Sequence, residues 1–218
     1  MIMKLPSLDN PNLAYETGLH IGDGSLSVDK KSTYRYGYYG NNLTEREFFN
    51  KIVIPLIQKL YGIKPHLEHC DNTCYIRIGS KELLEFKSKT LGLPIGDKGK
   101  LISLPQIFIL NKKLLCNLLA GIFDSDGSIC KNRRKYPRIS LVLKNKSIIY
   151  EIKYRLLSLG ITSTVYRNCY FDKRVNKLEI RWFLNINGIK NFRMFMNEIR
   201  LRNINHLKRI ERFDFKDY

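Results

Sequence analysis

The chain has 218 residues, 44% of them hydrophobic and 11% aromatic, enough for a proper core in one large domain or two small ones. Its formal net charge is +18, an excess that opposes compaction through self-repulsion and so implies an acidic partner, either nucleic acid or an anionic membrane surface. No apolar run approaches the ~20 residues of a membrane span, and no long basic face stands opposite a clean apolar one.

The five cysteines are scattered and odd in number, and no signal peptide is evident, so an intracellular, reducing, cytoplasmic setting is expected rather than secretion. The charge is also lopsided, +3 over residues 1–110 and +15 over 111–218, which assigns more of the phosphate contact to the second half.

In chain order, Asn10-Pro11 predicts a helix start, an N-cap followed by Pro at the first helical position. The helix runs through Thr17-Gly-Leu-His-Ile-Gly-Asp-Gly24, and polar and aromatic strands follow. Thr44-x-x-Glu47 predicts a capping box opening a helix with Phe48, Ile52 and Leu56 on one face, kinked at Pro55. Over Thr73–Gly79, alternation turns Cys74, Ile76 and Ile78 inward and Tyr75 and Arg77 outward. Residues 93–111, with Pro94, Gly96, Gly99 and Pro105, read as a linker. Beyond it, Ala120-Gly-Ile-Phe-Asp-Ser-Asp-Gly127 ends a second helix, and Lys131-Asn-Arg-Arg-Lys135 reads as a basic hairpin tip. Arg138, Ser140 and Lys144 share one strand face opposite Ile139, Leu141 and Leu143. Ser147 is the expected cap of the next helix. In Leu178–Leu184, Leu178, Ile180, Trp182 and Leu184 are expected inward and Arg181 outward. Residues 201–218 are basic and weakly periodic.

The two Asp-Gly segments are copies of one element, each followed by strand, strand, helix, so the chain is an internal duplication of about 100 residues per unit. The expected halves are residues 1–104 and 105–218, each αββαββα. Gly18 and Gly22 share a helix face, as do Gly121 and Ser125, and small residues at that spacing let two backbones approach closely. If these faces meet, Asp23 and Asp126 stand side by side at two helix C-termini, each followed by a Gly able to end the helix in a left-handed turn. Two such carboxylates repel each other and oppose the helix dipoles, an arrangement poor for stability and good for a divalent cation.

At Leu119-Ala-Gly-Ile-Phe-Asp-Ser-Asp-Gly127, and more loosely at Leu13–Gly24, the sequence resembles the LAGLIDADG homing endonucleases in their single-chain, two-motif form, intron-encoded and archaeal in type. The resemblance implies an α+β fold of two pseudo-symmetric αββαββα halves, with the motif helices at the centre and a saddle-shaped antiparallel sheet laid on duplex DNA. It implies a monomer cutting both strands of a long target site across the minor groove to leave 3′ overhangs. Mg²⁺ is the expected cofactor, with Mn²⁺ substituting and Ca²⁺ binding without supporting cleavage. Metal ligands by the resemblance are Asp23, Asp126 and the carbonyls of Gly22 and Ser125, with Lys144 near the scissile phosphate and Asn41 at the equivalent place of the first half. Asp124 points elsewhere. Arg35, Tyr75, Arg77, Arg133, Arg134, Lys135, Arg138, Ser140 and Arg181 are the expected DNA contacts.

The same fold also serves intron RNA maturases and DNA-binding regulators that do not cut. Both acidic residues are present here, which favours the nuclease. Tyr34, Tyr36, Tyr38 and Tyr39 offer aromatic rings for unpaired RNA bases.

Overall fold

A computed structural model of the chain describes residues 3–30, 33–99, 101–131, 136–172 and 176–213. The first half runs α1 (Pro11–Asp23), β1 (Gly24–Val28), β2 (Tyr34–Asn41), α2 (Arg46–Phe48), a wide π turn (Phe49–Val53), α3 (Ile54–Tyr61), β3 (Glu68–Cys70), β4 (Thr73–Ile78), α4 (Lys81–Glu85) and a second π turn (Phe86–Thr90). The second half runs α5 (Gln106–Ile109), α6 (Lys112–Ser125), β5 (Gly127–Lys131), β6 (Pro137–Leu143), α7 (Lys146–Ser158), β7 (Thr164–Asp172), β8 (Lys177–Asn187), α8 (Ile189–Glu198) and α9 (Ile204–Ile210). The strands form two four-stranded antiparallel sheets, ordered β1-β2-β4-β3 and β5-β6-β8-β7, so the duplicated α+β architecture stands.

The duplication holds at the level of single pairs. Gly24 opposes Tyr38 and Val28 opposes Tyr34, while Gly127 opposes Leu141 and Lys131 opposes Pro137. A shift of 103 residues (24 to 127, 38 to 141) therefore carries one ladder onto the other. Under that shift Arg35 falls on Arg138 and Asn41 on Lys144.

Asparagine supplies the helix starts. Asn10 accepts from the Asn12 N–H, Asn111 from Lys113 and Leu114, Asn145 from Ser147 and Ile148, and Asn203 from Asn205. The cap of α7 is thus Asn145 and not Ser147, whose hydroxyl is already inside the first turn. Thr44 is not a cap either. The loop before α2 is closed by Asn41, whose side chain accepts from Leu43 and Thr44, and by Glu45, which accepts from the Asn41 N–H. Glu47 instead pairs with Lys51 and Lys208. Pro55 follows directly on the π turn Phe49–Val53, and the backbone stays helical through it, so the wider turn takes up the residue that cannot donate an N–H.

α1 and α6 cross at the centre. A Cβ added to Gly18 would lie 2.1 Å from the Leu118 carbonyl oxygen, and one on Gly121 would lie 2.0 Å from the Tyr15 oxygen. The remaining helices cover one face of each sheet and bury Ile76, Ile78, Ile139, Leu141, Ile152, Leu184 and Ile186. Tyr36 and Tyr38 point into this core, stacked on and edge-on to His20, so they present no rings to RNA. Leu178 and Ile180 are 62% and 47% exposed, contrary to the inward expectation. They lie at the start of β8, near the tip of the long β7–β8 hairpin, and β8 becomes fully buried only from Leu184 to Ile186.

Candidate nucleic-acid interface and acidic centre

The last turns of α1 and α6 build the centre. α1 ends at Asp23, and Asp126 caps α6. Gly22 and Ser125 touch across the crossing: a Cβ on Gly22 would lie 2.0 Å from Ser125 Oγ and 2.9 Å from Asp126 Oδ2. Neither following glycine is left-handed. Gly24 has φ −79° and ψ 160°, because each helix passes directly into a strand. Glycine is required for room: a Cβ on Gly24 would meet the His20 ring at 2.2 Å, and one on Gly127 the Phe123 carbonyl at the same distance.

The electrostatics are those of paired, poorly solvated carboxylates. Burial, then Asp126 and Glu45, push Asp23 up to about 8. Burial also raises Asp126, to about 6, with Glu45 adding to the rise and Lys98 and Arg181 opposing it. Asp124, two residues earlier, faces the other way. It is fully buried and accepts from the Tyr15 hydroxyl at 2.7 Å and the Arg202 N–H at 2.6 Å. Its role is to fasten α6 to α1 and to the chain before α9.

Beside Asp126 opens a pocket of about 370 Å³ lined by Gly22, Lys98, Lys144, Asn145 and Arg181, among others. Lys144 lies just past β6 and pairs with Glu179 at 2.6 Å, and Glu179 also holds Arg181 at 3.2 Å. In the first half the equivalent Asn41 accepts the Leu43 and Thr44 N–H groups on its side-chain oxygen, which closes the turn after β2. The position is electrostatically reversed as well: Glu45 is beside it, itself raised by burial.

Two residues of this centre had escaped the sequence reading. Lys98 lay in the linker, where no periodicity marks a residue. Its ammonium donates to the carbonyls of His20 at 3.2 Å, Ile21 at 3.1 Å and Gly22 at still closer range. Burial lowers its pKa against the pull of Asp126 and Asp23. Glu45 had been passed over inside the supposed capping box.

The donor set suits a hard divalent ion. It combines two carboxylates with a helix-end carbonyl, and an ammonium already occupies that carbonyl in place of a cation. Among the described residues no three His, Cys, Asp or Glu side chains converge, so main-chain oxygens and water would complete the coordination.

The side chains expected to meet DNA lie on the strand faces turned away from the core. Arg35 pairs with Asp29 at 3.3 Å, Arg77 lies over the Tyr75 ring at 4.3 Å, and Arg181 over Tyr170 at 4.7 Å. Arg138 donates to Asn187 and Ser140 to Asn185, both cross-strand partners. Arg133, Arg134 and Lys135 lie outside the described residues. No helix of the described residues is long and apolar enough to cross a membrane.

Crossed helices, paired acidic ends and two four-stranded sheets together form one duplicated α+β fold. Residues 113–200 match the LAGLIDADG-like domain family. The fold is that of the homing endonuclease I-DmoI, with a TM-score of 0.62 at 20% identity over 87% of this chain and 95% of that one. I-DmoI in complex with DNA and Mn gives 0.61, also at 20% identity, over 87% and 96%. The N-terminal LAGLIDADG domain of DUF199/WhiA gives 0.54 at 16% identity, over 93% and 89%.

Among curated proteins, 92% of the chain aligns at 30% identity with 10% of a replication factor C small subunit of Methanocaldococcus jannaschii. In addition, 86% aligns at 27% identity with 21% of the tRNA-splicing ligase RtcB of Pyrococcus furiosus. The chain thus spans about a fifth or less of these relatives.

Proposed function

We propose that this protein is a site-specific DNA endonuclease that hydrolyses both strands of a long duplex target as a monomer, leaving 3′ overhangs. The observation that carries the proposal is the half-buried Asp23–Asp126 pair at the crossing of α1 and α6, both carboxyls raised above their ordinary value. Asp23, Asp126 and the carbonyls of Gly22 and Ser125 would hold Mg²⁺ or Mn²⁺, while Ca²⁺ would bind without supporting cleavage. When bound, such an ion supplies an activated water and charge stabilisation on the phosphate.

The protein's own part is positional. The outer sheet faces, with Arg35, Tyr75, Arg77, Arg138, Ser140 and Arg181, grip the duplex, and the halves, meeting near residue 104, each address one strand. Lys144 leans over the pocket beside Asp126, where release from Glu179 would let its ammonium neutralise charge developing on the phosphate. The relatives support the reading indirectly. Their names share no activity, so the aligned segment is a module carried inside otherwise different proteins.

The test is incubation with a randomised duplex library in Mg²⁺, in Ca²⁺ and in EDTA, followed by sequencing of the ends. Discrete Mg²⁺-dependent cleavage at one long site, lost in Asp23→Asn and Asp126→Asn, is expected. Tight binding without cutting in any metal would overturn the nuclease reading and leave a regulator or maturase of the same fold.

A further inference from the structure

Lys98 is held in place by its loop. Gly96 donates its N–H to the Leu26 carbonyl at 2.8 Å, Asp97 accepts from the Gly99 N–H at 2.9 Å, and Asn145 donates to the Gly99 carbonyl at 2.9 Å. The loop is thereby tied to β1 of the first half and to the cap of α7 in the second. From this anchorage the ammonium reaches 76 positions back in the chain, to the carbonyl end of α1.

The two motif helices differ at this end. On α6, Ser125 Oγ donates to the Gly121 and Ile122 carbonyls at 3.0 Å, so that helix satisfies part of its own terminus. Gly22 stands where Ser125 stands, with no side chain, and a Cβ there would strike Ser125. On α1 the Gly24 N–H takes the His20 carbonyl, and the Ile21 and Gly22 carbonyls fall to Lys98. They sit at the negative end of the helix dipole, close to two carboxylates, so the position attracts a cation of any kind. An ammonium and a divalent ion cannot both lie against the Gly22 oxygen, because like charges a few ångströms apart in a poorly solvated site repel strongly.

We propose that Lys98 is a tethered placeholder cation. It holds the Gly22 carbonyl and balances Asp23 and Asp126 until a divalent ion displaces it, which couples metal loading to movement of Lys98 and its neighbours Asp97 and Gly99. The inference rests on the two-carboxylate metal reading above.

Calorimetric titration of the whole chain with Ca²⁺, in the absence of DNA, tests it. Lys98→Met should bind Ca²⁺ about tenfold tighter or better than the parent. Its metal-free form should melt below the parent, and saturating Ca²⁺ should close that gap. In the unmutated protein, acetic anhydride labelling read by mass spectrometry should leave Lys98 protected without metal and modify it once Ca²⁺ is added. This second measurement stands even if Lys98→Met fails to fold. Ca²⁺ binding that is unchanged or weaker in Lys98→Met, or Lys98 labelling that ignores Ca²⁺, overturns the placeholder and leaves the metal site standing. Absence of Ca²⁺ binding in both proteins overturns the metal site and the placeholder together.

Discussion

The two halves share a backbone plan and differ in the charge they bring to its centre. At equivalent strand ends the second half offers Lys144, paired with Glu179, whereas the first offers Asn41, closed into a turn with Glu45 beside it. Burial raises both carboxyls, Glu45 adds to each and Lys98 opposes each; Arg181 opposes the rise only at Asp126, which reaches about 6, and Asp126 adds to it at Asp23, which reaches about 8. Duplication thus supplied the geometry twice, and divergence left Lys144 and Arg181 on the side of the second half and Asn41 with Glu45 on the side of the first. Two cuts made by such unlike halves should not run at equal rates.

The strongest way to break the comparison is to remove each carboxylate in turn. Asp23→Asn and Asp126→Asn should each lower cleavage by about 10³-fold or more, the loss of several kcal/mol of stabilisation, while far-UV circular dichroism stays unchanged. If one variant keeps most of its activity, the halves are not joint ligands of one centre.

The helix crossing, common to both halves, comes next. Gly121→Ala forces a Cβ against the Tyr15 carbonyl and the Leu19 N–H, and should cost about 3 kcal/mol in urea unfolding. A cost near zero would mean that α1 and α6 do not approach as closely as described.

Lys144→Ala sharpens the asymmetry. It should slow one strand by about 10²-fold and accumulate a nicked duplex, while Asn41→Ala leaves both chemical steps within a few-fold and costs about 1 kcal/mol of stability through its turn. Gel separation of nicked and linear products measures the difference, and equal slowing of both strands by Lys144→Ala would remove its assignment to one cut.

A further effect is that of pH. Both folded-state values lie above the ordinary 3.8, so the protonated forms favour the fold. That contribution is complete below about pH 4 and is lost as pH rises through about 6 and then about 8. The metal-free protein should therefore melt progressively lower across this window, and saturating Ca²⁺ should gain affinity over the same range. A flat metal-free melting profile would remove the strain assigned to the pair.

The fold was legible because its signals are periodic or repeated. The Asp-Gly segments with Gly18 and Gly121 announced the helix crossing, and the alternation of Thr73–Ile78 was correct residue by residue. Local choices among neighbours were less legible: Asn145 was preferred to Ser147, and Asn41 with Glu45 closed a turn that Thr44 and Glu47 had suggested. Several residues in each stretch can donate or accept, and only the path of the chain selects one.

The sequence by itself determined the duplication, the paired acids and the basic sheet faces, since each is written as a spacing or a composition that any fold must respect. Only the tertiary structure decided that a linker lysine reaches the end of α1, that Glu45 stands beside the first half's strand end, and that Glu179 restrains Lys144. Lys98 is 76 positions from Gly22 and Glu179 is 35 from Lys144, and Glu45, though only four from Asn41, is 22 from the Asp23 carboxyl that it raises. Electrostatic contact depends on distance through space, and no spacing along the chain encodes it.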